Sequence, residues 1–410
     1  MTFAAGTRIR LIAATAVLAT FALLTGVAGA SGPPSPRLTS SAAIVIDAAS
    51  GEALFAQHPD SKREIGSTTK LMTARLVLQR ARQSDVFKAP AYHAGPAEVV
   101  IGLRKGERMT VHDLLRALLL PSANDAAWDL AYNVSGSVPR FVKDMNAEAR
   151  KLGLSHTHYA NPIGLDDPHN RSSARDLARL ATLDMRDPAF AKIVDLTHAT
   201  LKSGSHVRTV INRNNLVGRY PFVDGVKTGH TQGAGYVLVG AAHGHGARVI
   251  SVVIGEPSES ARDADSLALL RYGIAQYRRV AVFKSGRAVA SVPIEWHDGK
   301  ADLAPARTIA LTVKRDTPVT MHVIPPEKVK GPLPAGRRVG RVQALVNGKV
   351  VRTVPLVTAD KVPAPSFVKH LGAVLRVVLL VLAILALLVA GTLVALRVRV
   401  VRRQRARSAR

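Results

Sequence analysis

Ser67 and Lys70 stand three residues apart in Ile65-Gly66-Ser67-Thr68-Thr69-Lys70-Leu71-Met72. Gly66 breaks the preceding chain, and Leu71, Met72, Leu76 and Leu78 follow as an apolar stripe. The stretch therefore predicts the first turn of a helix that ends near Arg82. On one helical face the two side chains can meet. A serine hydroxyl becomes a nucleophile when a neighbouring base takes its proton. A lysine amine can be that base once desolvation or a nearby cation lowers its pKa. The positive end of the helix dipole favours negative charge developing on the serine oxygen. Taken alone, the same residues read more plainly as an N-capping serine followed by a solvated lysine.

Two later stretches supply further polar groups. Pro121 stops a helix predicted from Val111 to Leu120, and Ser122-Ala123-Asn124-Asp125 precedes another over Ala126 to Val134. Ser122 and Asn124 then lie on a loop between helices, where they either face a cleft or cap the following helix. Val223 to Thr231 contains Lys227, Thr228, Gly229 and His230, with Gly235–Ala241 and Arg248–Ile254 reading as buried antiparallel strands. A strand ending in Lys-Thr-Gly offers a cation, a hydroxyl and a close-approach backbone at one edge. Such an edge can take a substrate backbone by strand addition, and its cation and hydroxyl can hold a carboxylate. A tight turn with an exposed lysine is the plainer alternative.

The surrounding elements must position these groups. Ala42–Asp47 and Ala53–Ala56 predict a hairpin around Ser50-Gly51. Val99–Leu103 and Arg108–Val111 predict short strands, and Val138–Leu152, a run opening at Ser173, and Ala261–Tyr277 predict helices. Asn161–His169 reads as a loop from its Gly, Pro and Asp content. Strands, then a helical group, then strands and a helix make an α+β arrangement. From Val280 helical periodicity ends, and Ser285-Gly286, Asp298-Gly299 and above all Asn347-Gly348 signal hairpins of a small all-β unit.

The ends of the chain carry a different signal. Arg8 and Arg10 precede an uncharged run from Leu11 to Val27 and the small residues Ala28-Gly29-Ala30, the pattern of a secretory signal peptide. Val377–Leu396 holds twenty residues without a charge and is followed by seven arginines. At 1.5 Å per residue it spans about 30 Å, a bilayer core, and the positive-inside rule keeps the arginines in the cytoplasm. The expected divisions are residues 1–30 signal peptide, 31–40 linker, 41–278 catalytic domain, 279–361 all-β domain, 362–376 linker, 377–396 transmembrane helix and 397–410 basic cytoplasmic tail.

The chain has 410 residues, a net charge of +27 and no cysteine, which excludes a disulfide framework, thiolate metal sites and a cysteine nucleophile. Eleven of those positive charges sit in residues 1–30 and 368–410, leaving +16 on the exported body. A basic body outside a membrane suits anionic partners such as lipid head groups or wall polymers. No nucleic-acid motif is visible, and that location disfavours nucleic acid. His156, His158 and His169 lack metal-ligand spacing, so neither a metal nor another cofactor is expected.

S-x-x-K at 67, S-x-N at 122 and K-T-G at 227 occur in that order on one exported chain, the trio of penicillin-binding proteins and β-lactamases. The chain resembles the low-molecular-mass penicillin-binding proteins, the D-alanyl-D-alanine carboxypeptidase family of serine peptidases, over roughly residues 38–360. Gly66–Ala74, Asp224–Thr231, Ser173–Ala178 and the β-rich module carry the likeness, while Ala123 departs from the family's usual glycine. The resemblance implies a transpeptidase-like catalytic domain in which Ser67 attacks the penultimate D-alanine carbonyl and Lys70 takes its proton. It implies that Ser122 relays a proton and that Asn124 holds the substrate backbone. Lys227 and Thr228, with Gly229 and His230 beside them, would hold the terminal carboxylate. The backbone N–H groups of Ser67 and His230 would form the oxyanion hole. The implied substrate is a wall stem peptide ending in D-Ala-D-Ala, with β-lactams as covalent inhibitors. A β-lactamase is disfavoured because no E-x-x-L-N stretch follows Ser122. A D,D-endopeptidase and a non-enzymatic wall-binding scaffold stay open; released D-alanine separates them from a carboxypeptidase.

Overall fold

The computed structural model describes residues 32–407. The expected signal peptide, residues 1–30, lies outside them, as do the last three tail residues. In chain order the first unit runs β1 (Ala42–Asp47), β2 (Ala53–Gln57), β3 (Arg63–Glu64), a 3-10 turn (Gly66–Thr69), α1 (Lys70–Arg80), β4 (Val86–Lys88), β5 (Arg108–Thr110), α2 (Val111–Leu119), α3 (Asn124–Ser135), α4 (Val138–Lys151) and β6 (Arg171–Ser172). It continues with α5 (Ala174–Asp184), α6 (Pro188–Val194), β7 (His198–Leu201), β8 (Arg208–Ile211), β9 (Val223–Thr231), β10 (Gly235–Gly244), β11 (Ala247–Glu256) and α7 (Glu259–Ala275). Then come β12 (Tyr277–Phe283), β13 (Ala290–Pro293), β14 (Lys300–Pro305), β15 (Ile309–Lys314), β16 (Val319–Ile324), β17 (Arg338–Val346), β18 (Lys349–Thr358) and α8 (Phe367–Arg407). Contacts divide the described residues into 32–279 with 312–316, and a second unit of 280–311 with 317–407.

The first unit is built on an antiparallel sheet in the order β2-β1-β11-β10-β9. β1 is buried at all six positions, and its side chains divide between two cores. Ala42, Ile44 and Ile46 join the large core with the helices of the middle segment, whereas Ala43 and Val45 pack with Leu269 and Leu270 of α7. Covered on both faces, the strand has no need of polar alternation, which explains its unbroken apolar run. β9 is left at the sheet edge.

The predicted helices form with small shifts at their ends. Thr110, Ser137, Ser173 and Ser258 cap α2, α4, α5 and α7 through their hydroxyls. One expectation is corrected, and one open alternative is ruled out. Val99–Leu103 is not a strand. The Asp125 carboxylate takes the N–H groups of Ile101 and Leu103 at 2.9–3.1 Å, while Val99 C=O accepts from Asn124 N at 2.7 Å. With its backbone groups drawn to α3, this segment leaves β4 to pair with β5. In addition, Ser122 and Asn124 do not cap α3: its N-cap is Ala123, and no side-chain cap bond forms.

The second unit carries a sheet in the order β13-β14-β18-β17-β16. Asn347-Gly348 turns β17 into β18 with both φ angles positive, 51° and 74°, the geometry that selects Asn-Gly. Asp298-Gly299 lies in the loop of the β13–β14 pair, whereas Ser285-Gly286 joins β12 to β13, which are not paired with each other. α8 starts at Phe367, so helix occupies most of the expected linker 362–376. Between Phe367 and the apolar run there is no proline to stop propagation back toward Ser366. Among the described residues one helix, Val374–Arg402, is long and apolar enough to cross a membrane, and its side chains are exposed.

Candidate active site

The 3-10 turn that carries Ser67 is tied at its start by Ile65, whose carbonyl accepts from Thr68 N at 3.2 Å and Thr68 Oγ1 at 2.7 Å. Opposite it lies β9, and glycines make the approach fit. A methyl group at Gly229 would lie 2.7 Å from Ile65 O and 3.2 Å from Ser67 N, and one at Gly66 would meet His230 N at 3.0 Å. The Ser67 turn and the backbone at Gly229 and His230 are thereby held in close approach.

Lys70 is fully buried. Its amine lies 2.9 Å from Ser67 Oγ, 2.7 Å from Asn124 Oδ1 and 2.5 Å from Ile163 O. An amide oxygen and a carbonyl can only accept. A neutral lysine amine gives its two hydrogens to these oxygens and keeps its lone pair for the Ser67 O–H. Burial brings the Lys70 pKa down to about 7; Glu98 and Asp125 pull it back up, and Arg213 pushes it further down. Neutral amine is therefore abundant near neutrality, as a general base requires.

The Ile163 carbonyl is delivered by the Asn161–His169 loop. Asn161 Oδ1 accepts from the N–H groups of Ile163, Gly164 and Leu165 at 3.3, 2.7 and 3.2 Å. This Asx-type turn sends the carbonyls of Pro162 and Ile163 inward, where they accept from Thr73 Oγ1 at 2.7 Å and from Lys70. Gly164 has φ +86°, and a methyl group there would come within 2.1 Å of Gly66 O. Gly164→Ala is expected to displace the Ser67 turn, to destabilise the chain by about 2 kcal/mol or more, and to slow acylation of Ser67 at least tenfold. Thermal melting and a penicillin-acylation time course check this; a variant equal to the parent in both would show that the loop has room.

Ser122 adopts a left-handed backbone, φ +72°, which is uncommon for a residue other than glycine. Its Oγ is buried and makes no hydrogen bond among the described residues, a costly state that functional groups often carry. Two cavities meet at Ser67, of about 960 and 850 Å³, and Ser122, His230 and Tyr236 line both. Thr228, Gly229, Arg213 and Arg262 belong to the first, and Asn124, Leu165 and Asp166 to the second. The fold thus collects Ser67, Lys70, Ser122, Asn124, Thr228, Gly229 and His230 around one cleft. Lys-Thr-Gly sits inside β9, not at its end. Lys227 is buried behind the lining, with its amine 2.8 Å from Thr228 O, and burial, reinforced by Lys70, Arg213 and Arg262, pushes its pKa well down. The exposed His230 ring stacks on Tyr236 with centroids 4.0 Å apart.

Several participants were not found from the sequence. Glu98, Arg213 and Arg262 lie in no recognisable motif, and the Ile163 carbonyl has no side-chain signature at all. Asp125 was within reach, because it directly follows Ser-Ala-Asn. In the Asn161–His169 loop, Asp166 accepts from Gly233 N at 3.1 Å and Asp167 from His169 N at 2.7 Å.

A buried lysine bonded to a cleft serine, on a sheet whose edge strand carries Lys-Thr-Gly, defines a serine acyl-transfer enzyme of the penicillin-recognising class. Residues 29–258 match peptidase family S11, D-alanyl-D-alanine carboxypeptidase, and residues 277–364 match the penicillin-binding protein 5 C-terminal domain. The chain is 32% identical to the D-alanyl-D-alanine carboxypeptidase DacA of Escherichia coli K12, over 82% of this chain and 86% of that one. Penicillin-binding protein 5 from Haemophilus influenzae superposes with a TM-score of 0.58 at 30% identity, covering 80% of this chain and 99% of the other. The Streptomyces K15 DD-transpeptidase gives 0.57 at 32% identity, covering 59% and 100%. The chain belongs to the S11 family of D-alanyl-D-alanine carboxypeptidases, which are serine hydrolases, and carries that family's C-terminal β domain.

Proposed function

We propose that the protein removes the terminal D-alanine from peptidoglycan stem peptides through an acyl-enzyme on Ser67. The observation that carries this reading is the Lys70 amine, held by two obligate acceptors with its third direction toward Ser67 Oγ. Ser67 Oγ attacks the carbonyl of the penultimate D-alanine while Lys70 Nζ takes the proton. The N–H groups of Ser67 and His230 receive the oxyanion, where one donor is worth roughly 3–4 kcal/mol. Thr228 holds the terminal carboxylate, with Lys227 buried behind it and bonded to its carbonyl, Asn124 holds the substrate backbone, and Ser122 relays a proton to the leaving amine as the tetrahedral intermediate collapses. Water then cleaves the ester and releases the shortened peptide. A β-lactam, whose ring amide imitates the scissile bond, acylates the same oxygen.

The catalytic unit faces the extracytoplasmic side in this proposal, tethered by α8 with its arginine-rich end in the cytoplasm. The apolar span and the arginines at its C-terminal end support that orientation. The domain limits in this proposal are 41–278 for the catalytic domain and 279–361 for the all-β domain, the second supported by the match of residues 277–364 to a C-terminal domain.

The test uses the full chain in detergent with an N-acylated peptide ending in D-Ala-D-Ala. One D-alanine is expected per peptide cleaved, and intact mass after penicillin treatment is expected to show one adduct, mapping to Ser67. Monomers released from cross-linked dimers without free D-alanine would replace this reading with an endopeptidase.

A further inference from the structure

The Asn124 amide has an oxygen and a nitrogen that could exchange places by a half-turn, and only one orientation leaves Lys70 fit to act. With Oδ1 toward Lys70, the amide accepts a hydrogen from the amine. With Nδ2 toward it, the amide would donate to the amine's lone pair, the pair that must take the Ser67 proton. Something has to fix the choice, and neither Lys70 nor Ser67 can do so, because each can serve as donor or acceptor when the lysine is neutral.

Glu98 meets the other side of that amide. Its Oε2 accepts from Asn124 Nδ2 at 2.6 Å. The same oxygen accepts from the Tyr92 hydroxyl, and Oε1 accepts from Gly95 N at 2.9 Å. Tyr92 is in turn packed against Trp128 of α3, ring centroids 5.5 Å apart. A carboxylate offers no hydrogen, so it can face only the amide nitrogen. Although burial works the other way, the bonds from Tyr92, Gly95 and Asn124, with the nearby Lys70, hold the Glu98 carboxyl below its ordinary pKa and so ionised. We infer that Glu98 is a positioning residue for the catalytic amine: it locks the Asn124 amide with its oxygen toward Lys70, so that the lysine lone pair is kept for Ser67.

The inference rests on the proposed role of Lys70 as base, and two readouts keep the claims apart. If Ser67 is not the nucleophile, the parent protein gives no penicillin adduct there. If Glu98 is not the lock, the parent acylates and the variants match it. Charged groups facing Lys70 are Glu98, Asp125, Arg213 and Lys227, so removing Glu98 also removes a charge. Measuring at pH 9.5, where Lys70 is neutral in every variant, separates orientation from charge.

Two variants of the full-length protein are compared with the parent. Glu98→Met has similar length and no strong acceptor. Glu98→Gln keeps one acceptor oxygen but no charge, and that oxygen cannot serve both Asn124 and Gly95 as the carboxylate does. At pH 9.5, Glu98→Met is expected to be acylated by penicillin at least tenfold more slowly than the parent, with Glu98→Gln between them. In Glu98→Gln the acid limb of the pH profile is expected about one unit lower. Thermal melting confirms folding. A folded Glu98→Met acylated within twofold of the parent at pH 9.5 overturns the inference, whatever happens at lower pH. Should Glu98→Met not fold, Glu98→Gln decides: acylation equal to the parent at pH 9.5 overturns it, and a measurable loss there supports it.

Discussion

Ser67→Ala is expected to lower kcat/KM for D-alanine release by at least about 10⁴-fold and to abolish the penicillin adduct. Losing the nucleophile of a hydroxyl–base pair removes the covalent route altogether, and what survives is binding and oxyanion stabilisation of a direct water attack. The substitution is small, and among the described residues Ser67 makes its side-chain bond to Lys70 alone, so the fold is expected to stay intact by thermal melting. Lys70 keeps its acceptors Asn124 and Ile163 in the variant. Activity measured with an N-acylated D-Ala-D-Ala peptide and mass spectrometry on the same sample give two independent readings. A variant that still forms the adduct would move the nucleophile elsewhere.

The second large effect concerns Lys70. Because burial brings its pKa down to about 7, and because the base must be neutral, kcat/KM is expected to rise tenfold per pH unit below about 7 and to flatten above it. The sign follows from the lysine: lowering the pH through its folded-state pKa protonates the amine and removes the lone pair. Lys70→Arg keeps a cation but never releases its proton at working pH. It is expected to lose general-base catalysis, a factor of about 10²–10⁴, and with it the limb near pH 7. A parent profile without that limb, or an arginine variant that retains it, would take the role of base away from Lys70.

Much of this site was legible because its motifs are short-range. Ser67 and Lys70 meet because residues three apart share a helical face. Pro121 and the polar run after it marked a break between helices whatever lay around it. Ser122 and Asn124 then illustrate the limit of local rules. Both are good capping residues by type, yet α3 begins with no side-chain cap, since Asn124 is held by Lys70 and Glu98. Val99–Leu103 fails as a strand for a related reason. Its β-branched residues suit a ladder, but the nearest acceptor for its N–H groups is the Asp125 carboxylate, 22–24 residues away.

Order, residue type and local spacing in the chain were enough to determine that a hydroxyl and an amine become neighbours, that an α+β body precedes an all-β unit, and that an apolar helix follows. Tertiary structure alone decided how dry the amine is, which carbonyl and which carboxylate surround it, and that β9 stands at a sheet edge beside the serine turn. The division has a physical cause. Hydrogen-bonded turns are fixed by neighbours in sequence, whereas desolvation and the direction of a lone pair depend on atoms from segments that meet only once the core has closed around them.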